Sequence, residues 1–274
     1  MDNRTANANA ADLISRARAI HSKVLTPENA LLVREILESA LQDPVGVDPR
    51  RLAEAWSLLA EILMCDYLNR WNHAGLPELA RAENAVQRAL EIIPELAPAH
   101  YASGLIYRAK GKHEASLAAF ARTTELNPDI PLAYAQQGAQ LMYVGRPKEA
   151  VPLVEKAIKL SPVASPALGM FYWIIGRAHF FSGNYEAAIA WLRKSVELRP
   201  TLWYNRLYLV SACALAGDGK EAKIALADFD ARFPGYTLSR VESDEQTNPN
   251  GNPVVVEGRR KFHEGLQQAG MAAG

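Results

Sequence analysis

Residues 97 to 128, APAHYASGLIYRAKGKHEASLAAFARTTELNP, carry a period that much of the rest of the chain repeats. Apolar or small residues at Leu105, Ile106 and Ala109 precede Gly111, and Ala115, Leu117, Ala119 and Phe120 recur at helical spacing before Pro128. That pattern predicts two amphipathic helices joined by a turn at Gly111. Outward from it, Pro94, Pro128 and Pro162 stand 34 apart, Pro162 to Pro200 is 38, and Pro200 to Pro234 is 34 again. Gly111, Gly145, Gly183 and Gly217 step by 34, 38 and 34, while Gly104, Gly138 and Gly176 step by 34 and 38. Punctuation this regular marks an internal repeat. The two glycine classes answer different needs. Gly111 and its equivalents suit the left-handed residue that ends a helix, and Gly104 and its equivalents sit mid-helix, where a missing side chain lets a partner helix come close.

These residues resemble the tetratricopeptide repeat. Gly104, Tyr107, Gly111, Phe120 and Pro128 fall where that motif has its Gly, Tyr, Gly, aromatic and Pro; Tyr134, Gly138, Gly145, Ala150, Ala157 and Pro162 match in the next unit. Tyr172, Gly176, Gly183, Tyr185, Ala188, Leu192 and Pro200 follow, and then Leu209, Gly217, Ala222, Leu226 and Pro234, with Val210 in place of the mid-helix glycine. The resemblance implies an all-α, right-handed superhelical solenoid of antiparallel helix pairs, about six pairs plus a C-terminal helix. The pairs are expected near residues 9–44, 49–94, 97–128, 131–162, 166–200 and 203–234, with residues 1–8 disordered and 237–274 forming capping helices around a polar break at 243–253.

At 274 residues and 49% hydrophobic, the chain has enough apolar surface for one long array. Thirty basic and thirty acidic residues cancel, so no field favours nucleic acid or anionic lipid. Cys65 and Cys213 stand alone, without CxxC spacing, and read as small buried thiols of a reducing compartment. The opening MDNRTANANAAD is polar, and no apolar run approaches the roughly 18 residues of a membrane span, so a cytoplasmic location is expected. Nucleophile elbows, phosphate loops, HExxH and metal-spaced His/Cys sets are missing from the sequence, and His100 and His179 read as packing or surface residues. No catalytic residue, cofactor or metal is therefore assigned.

Near the start, Leu13, Ala17, Ile20 and Val24 make a helical stripe, and Thr26-Pro27 and Asp48-Pro49 give cap signals for the helices that follow. Trp56, Leu59, Ala60 and Leu63 then mark a first helix, and a longer connection around Asn69 to Glu78 holds Trp71 and His73. The tryptophan is expected to fold back on its neighbours. The four extra residues before Gly176 fall at Val163 to Ala167, where Ser165-Pro166 predicts a helix that begins one turn early. After Pro234 a further helix starts at Thr237, and Val254 to Ala269 closes the chain with Phe262 and Leu266 on its apolar side. Its expected role is to cover the last repeat, the rival being occupancy of the groove described next.

Read with the repeats, Thr26-Pro27-Glu28-Asn29, Ala40-Leu41 with Asp43-Pro44, Phe233-Pro-Gly-Tyr-Thr, and Glu264-Gly-Leu with Ala269-Gly270 resemble the repeat half of bacterial class III adenylate/guanylate cyclases and of related winged-helix regulators. Such cyclases carry a separate α/β domain with metal-binding aspartates, and nothing here alternates strand and helix, so no catalysis carries over. The resemblance to the repeat also implies a concave groove lined by first helices. Its positions hold Tyr101, Leu105 and Arg108; Gln136, Met142 and Tyr143; Met170, Trp173, Arg177, Phe180 and Phe181; and Tyr204, Leu207, Tyr208 and Ser211. The Lys and Asn residues with which chaperone-binding members clamp a peptide carboxylate are not found there. An aromatic, apolar groove points to a protein or peptide partner, making the chain a non-catalytic scaffold. The alternatives are a regulatory module serving a cyclase-like or transcriptional output and, last, an enzyme.

Overall fold

A computed structural model describes residues 9–22, 25–72, 74–246 and 250–274 of the chain. Among them stand fourteen α-helices and no strand. Residues 1–8, Val24, His73 and the 247–249 part of the polar break lie outside the described residues, with whatever the sequence predicts for them. The chain divides into two units after Asp129. Unit 1 pairs α1 (Ala10–His21) with α2 (Pro27–Gln42), α3 (Pro49–Asn69) with α4 (Leu76–Ile92), and α5 (Ala97–Ala109) with α6 (His113–Leu126). Unit 2 pairs α7 (Pro131–Tyr143) with α8 (Pro147–Leu160), α9 (Leu168–Phe181) with α10 (Tyr185–Leu198), and α11 (Trp203–Leu215) with α12 (Gly219–Arg232). It ends in α13 (Leu238–Gln246) and α14 (Pro253–Ala269).

Caps and turns place these elements. Thr26 accepts from the Asn29 N–H at 3.2 Å and Asp48 from the Arg51 N–H at 2.9 Å, each ahead of a first-turn proline, so α2 and α3 start where the cap signals stand. Gly111, Gly145, Gly183 and Gly217 all adopt φ between +68° and +83°, the left-handed turn between the helices of a pair. Within a pair the mid-helix glycines mark contact. A Cβ on Gly104 would enter the Phe120 ring, one on Gly138 would meet Val154, and one on Gly176 would press on Leu192. The Ser116 hydroxyl takes the same close approach to donate to the Gly104 carbonyl at 2.7 Å.

Two connections differ from the regular turn. After α3, Arg70 and Asn72 take left-handed backbone, and the segment is tied down through a buried carboxylate. Asn72 donates to Asp66 at 2.9 Å and to the Pro27 carbonyl at 3.0 Å, while Arg34 reaches Asp66 at 3.2 Å. Trp71 is half-buried, and its backbone N–H donates to the Asp66 carbonyl at 2.9 Å, which closes the end of α3. The second is the four-residue insertion. Instead of an added helical turn, residues 162–167 make turns closed by Ser165 N–H to Pro162 and Leu168 N–H to Ser165, and α9 begins only at Leu168. The extended backbone that Pro166 favours at Ser165 suits a turn as well as a helix cap, and here these two turn bonds take up the insertion.

Candidate functional site

In unit 2 the spacing of residues along α9 and α11 brings rings from both helices to one face. Trp173 meets Tyr204 at 4.7 Å and Tyr208 at 5.1 Å between ring centroids, and Phe180 meets Tyr208 edge-on at 5.1 Å. Positions four and seven apart on α9 lie on one side of the helix, and four apart on α11 do the same, so the contacts follow from register. Arg177 stands in the middle. Its guanidinium lies 5.1 Å from the Tyr143 ring at the end of α7, 5.7 Å from Trp173 and 5.3 Å from Phe181. A planar cation among ring faces is stabilised by their quadrupoles, which fixes Arg177 as part of the aromatic surface.

The C-terminal helix α14 is seated across part of this face. Phe262 stacks on Tyr208 with centroids 4.1 Å apart and planes at 14°, and meets Phe180 edge-on at 6.3 Å. Two glycines let the backbone of α14 come down: a Cβ on Gly258 would strike the Phe181 ring, and one on Gly265 would strike Ser211. The Ser211 hydroxyl donates to the Phe262 carbonyl at 2.9 Å. At the start of α14, Asn252 donates to the Val144 carbonyl at 3.1 Å, Asn250 to the Tyr143 carbonyl at 2.8 Å. These contacts run from the end of α7 past the end of α9 and onto α11. Under them Phe180 is 2% and Tyr208 7% exposed, whereas Tyr143, Trp173, Arg177, Phe181 and Tyr204 remain half-buried.

Most of the other residues that the sequence places in the groove are buried. Met142 is 1% exposed and Leu207 0%; Gln136 is buried as well. In unit 1, Leu105 is buried, Tyr101 is buried against Phe120 at 5.5 Å, and Arg108 is half-buried. Repeat position alone does not separate a side chain that faces the groove from one that packs first helix on first helix. The residues missed are Asn250, Asn252, Gly258 and Gly265. Gly258 and Gly265 are seven apart on the face of Phe262, a small-residue spacing legible as a seat for another helix.

Polar chemistry at the face is limited to hydrogen bonding and the Arg177 cation. Among the described residues no group of three or more His, Cys, Asp or Glu is placed to hold a metal ion. Both cysteines are unpaired, and burial pushes the Cys213 thiol up to about 11 and Cys65 up as well, away from the reactive thiolate. His100 has a ring nitrogen 3.0 Å from the Pro94 carbonyl, and burial holds His179 below its ordinary value. No described helix is long and apolar enough to cross a membrane.

Residues 97–130 and 136–202 match the tetratricopeptide repeat family. Human tetratricopeptide repeat protein 13 is 36% identical over 120 residues, 42% of this chain, and the match spans 13% of that protein's length. Among solved structures, pilF of Pseudomonas aeruginosa superposes with a TM-score of 0.62 at 16% identity, covering 86% of this chain and 97% of that one. YrrB, described as a tetratricopeptide protein with an unusual peptide-binding site, gives 0.55 at 17% identity over 77% and 99%. The period that begins at Ala97 is thus that of the tetratricopeptide repeat, a helix-pair module of protein–protein interaction.

Proposed function

We propose that the protein is a non-catalytic interaction scaffold that takes a helical or extended apolar segment of a partner protein on the first-helix face of unit 2. What carries the proposal is the connected set Tyr143, Arg177, Trp173, Tyr204 and Tyr208, with α14 already resting on one side of it. Aromatic rings give large contact area at low entropic cost and tend to dominate binding energy. Arg177 is held over rings, so it serves as part of an apolar surface and as a donor at its edge. YrrB, which shares the fold, is described as having a peptide-binding site. We place the scaffold in a reducing cytoplasm, in keeping with two unpaired thiols.

A native-lysate pull-down with partner identification supplies the ligand for the test. Trp173→Ala then weakens that partner by on the order of 2 kcal/mol and leaves helicity intact. Should the substitution lower stability while the partner binds as before, the ring cluster is core and the assignment fails. A regulatory role, with an output domain encoded in frame or next door, is the second reading. It rests on the ordered end motifs, of which Thr26-Pro27 and Ala269-Gly270 are the caps of α2 and α14.

A further inference from the structure

The segment α14 has the features of a helix that stands by itself. Asn252 caps its first turn through the Val254 N–H at 3.0 Å, Pro253 fills the first helical position, and Gly270 ends it at φ +95°. Its outer face pairs with itself: Arg260 with Glu257 at 2.6 Å and with Glu264 at 3.1 Å, and Lys261 with Glu264 at 2.9 Å, all three or four residues apart. Such pairs favour an isolated helix, so its polar side stays satisfied wherever the helix sits. Its inner face, by contrast, is shaped to the site. Phe262 enters between Tyr208 and Phe180, with Gly258 four residues before it and Gly265 three after, each where a side chain would collide. Leu266 and Ala269 complete the buried side.

Within each helix pair of unit 2 a tight glycine turn joins the two helices, whereas residues 247–252 separate α14 from α13 and are polar apart from Pro249 and Gly251. A return contact closes the segment. The Leu238 and Ser239 N–H groups at the start of α13 donate to the Ala272 and Ala273 carbonyls at 2.9 and 3.1 Å. The tail beyond α14 is thereby latched to the helix before it, and His263 Nδ1 lies 3.4 Å from Glu242 of α13.

We propose that α14 is a built-in occupant of the unit 2 binding face, and that the partner displacing it presents an amphipathic helix with an aromatic residue flanked by small residues four before and three after. The proposal rests on the first-helix face being the binding surface, as set out above. Tethering gives α14 a millimolar-range effective concentration, so a free segment of equal intrinsic affinity is shut out. A partner succeeds when it matches the glycine seats and also reaches Trp173 and Tyr204.

The probe is a fluorescent synthetic peptide of residues 250–274. A protease cleavage sequence is placed between Gln246 and Asn250 of the full chain, and uptake of the probe is followed by anisotropy before and after cutting. The nicked chain is expected to take up probe at concentrations about 100-fold lower than the uncut chain. Probes carrying Phe262→Ala or Gly265→Leu are expected not to compete. Uncut full chain carrying Gly265→Leu should admit the wild-type probe, and if that variant fails to fold the nicked chain decides alone. Helical peptides selected from a library on the opened chain should carry the aromatic with small flanking residues.

If the nicked chain keeps its own segment through dilution and exchanges no probe, or releases it only as the whole unit unfolds, α14 is a fixed cap and the proposal is overturned. Equal uptake of the Phe262→Ala probe overturns the spacing. Selection of acidic or extended peptides, or dimerisation of the uncut chain by exchange of α14, overturns the partner class. Loss of partner binding by Trp173→Ala with no effect of the nick removes this inference alone and leaves the binding face standing.

Discussion

His21 closes α1 and lies with Nε2 3.6 Å from Glu61 on α3. The bond to the Glu61 carboxylate raises the imidazole above its ordinary value of 6.5, against burial, which lowers it. The protonated ring also sits in the last turn of a helix, where a cation is favoured. A raised folded-state value means that the native state binds the proton more tightly than the unfolded chain. The stabilisation is thus fully present below pH 6.5 and is lost as pH rises through the folded-state value. Denaturant midpoints of the wild type and of His21→Gln should therefore differ more at pH 5.5 than at pH 8.5. A difference that stays flat across that range would show that the pair contributes no pH-dependent stability.

Where α7 crosses α8, Gly138 is the element's point of contact, with Val154 and the Ala150 carbonyl across from it. Gly138→Leu overpacks the crossing and should cost roughly 1 to 3 kcal/mol, read as a lowered denaturant midpoint with unchanged slope. An unmoved midpoint would mean that the helices separate without cost. This crossing was legible in the sequence because a period of 34 that preserves glycine mid-helix leaves only close approach as the reason for it. The turn glycines were legible for an equally local cause, their backbone angle. The start of α9 was not, because Ser165-Pro166 suits a helix cap and a turn alike, and only the bonds through Pro162 and Leu168 decide between them. For α14 the sequence tells which side is apolar and not what that side meets. What it meets is seen in the rings, where Phe262 stacks on Tyr208 of α11 and meets Phe180 of α9.

Within each unit, helix pairs share contacts chiefly with their neighbours in sequence, so disturbance is expected to fade from one pair to the next of that unit. Within unit 2, α14 breaks that pattern. Asn250 and Asn252 reach carbonyls 107 and 108 residues away, and Ser211 reaches Phe262 across 51. Such long closures bring the end of the chain against three first helices, and Phe262, 1% exposed, is the ring that meets α9 and α11. Phe262→Ala removes a buried ring and should destabilise unit 2 by about 3 to 5 kcal/mol if α14 stays in register, since the cavity lies between helices that cannot easily close on it. Amide hydrogen exchange shows where the loss falls. Amides of α11 and of α14 itself should exchange markedly faster, those of α9 less so, and those of α8, which makes none of the Phe262 contacts, should keep their rates. An equal acceleration in α8 would mean that unit 2 opens as one block whatever α14 does, and unchanged rates throughout would mean that Phe262 holds nothing in place.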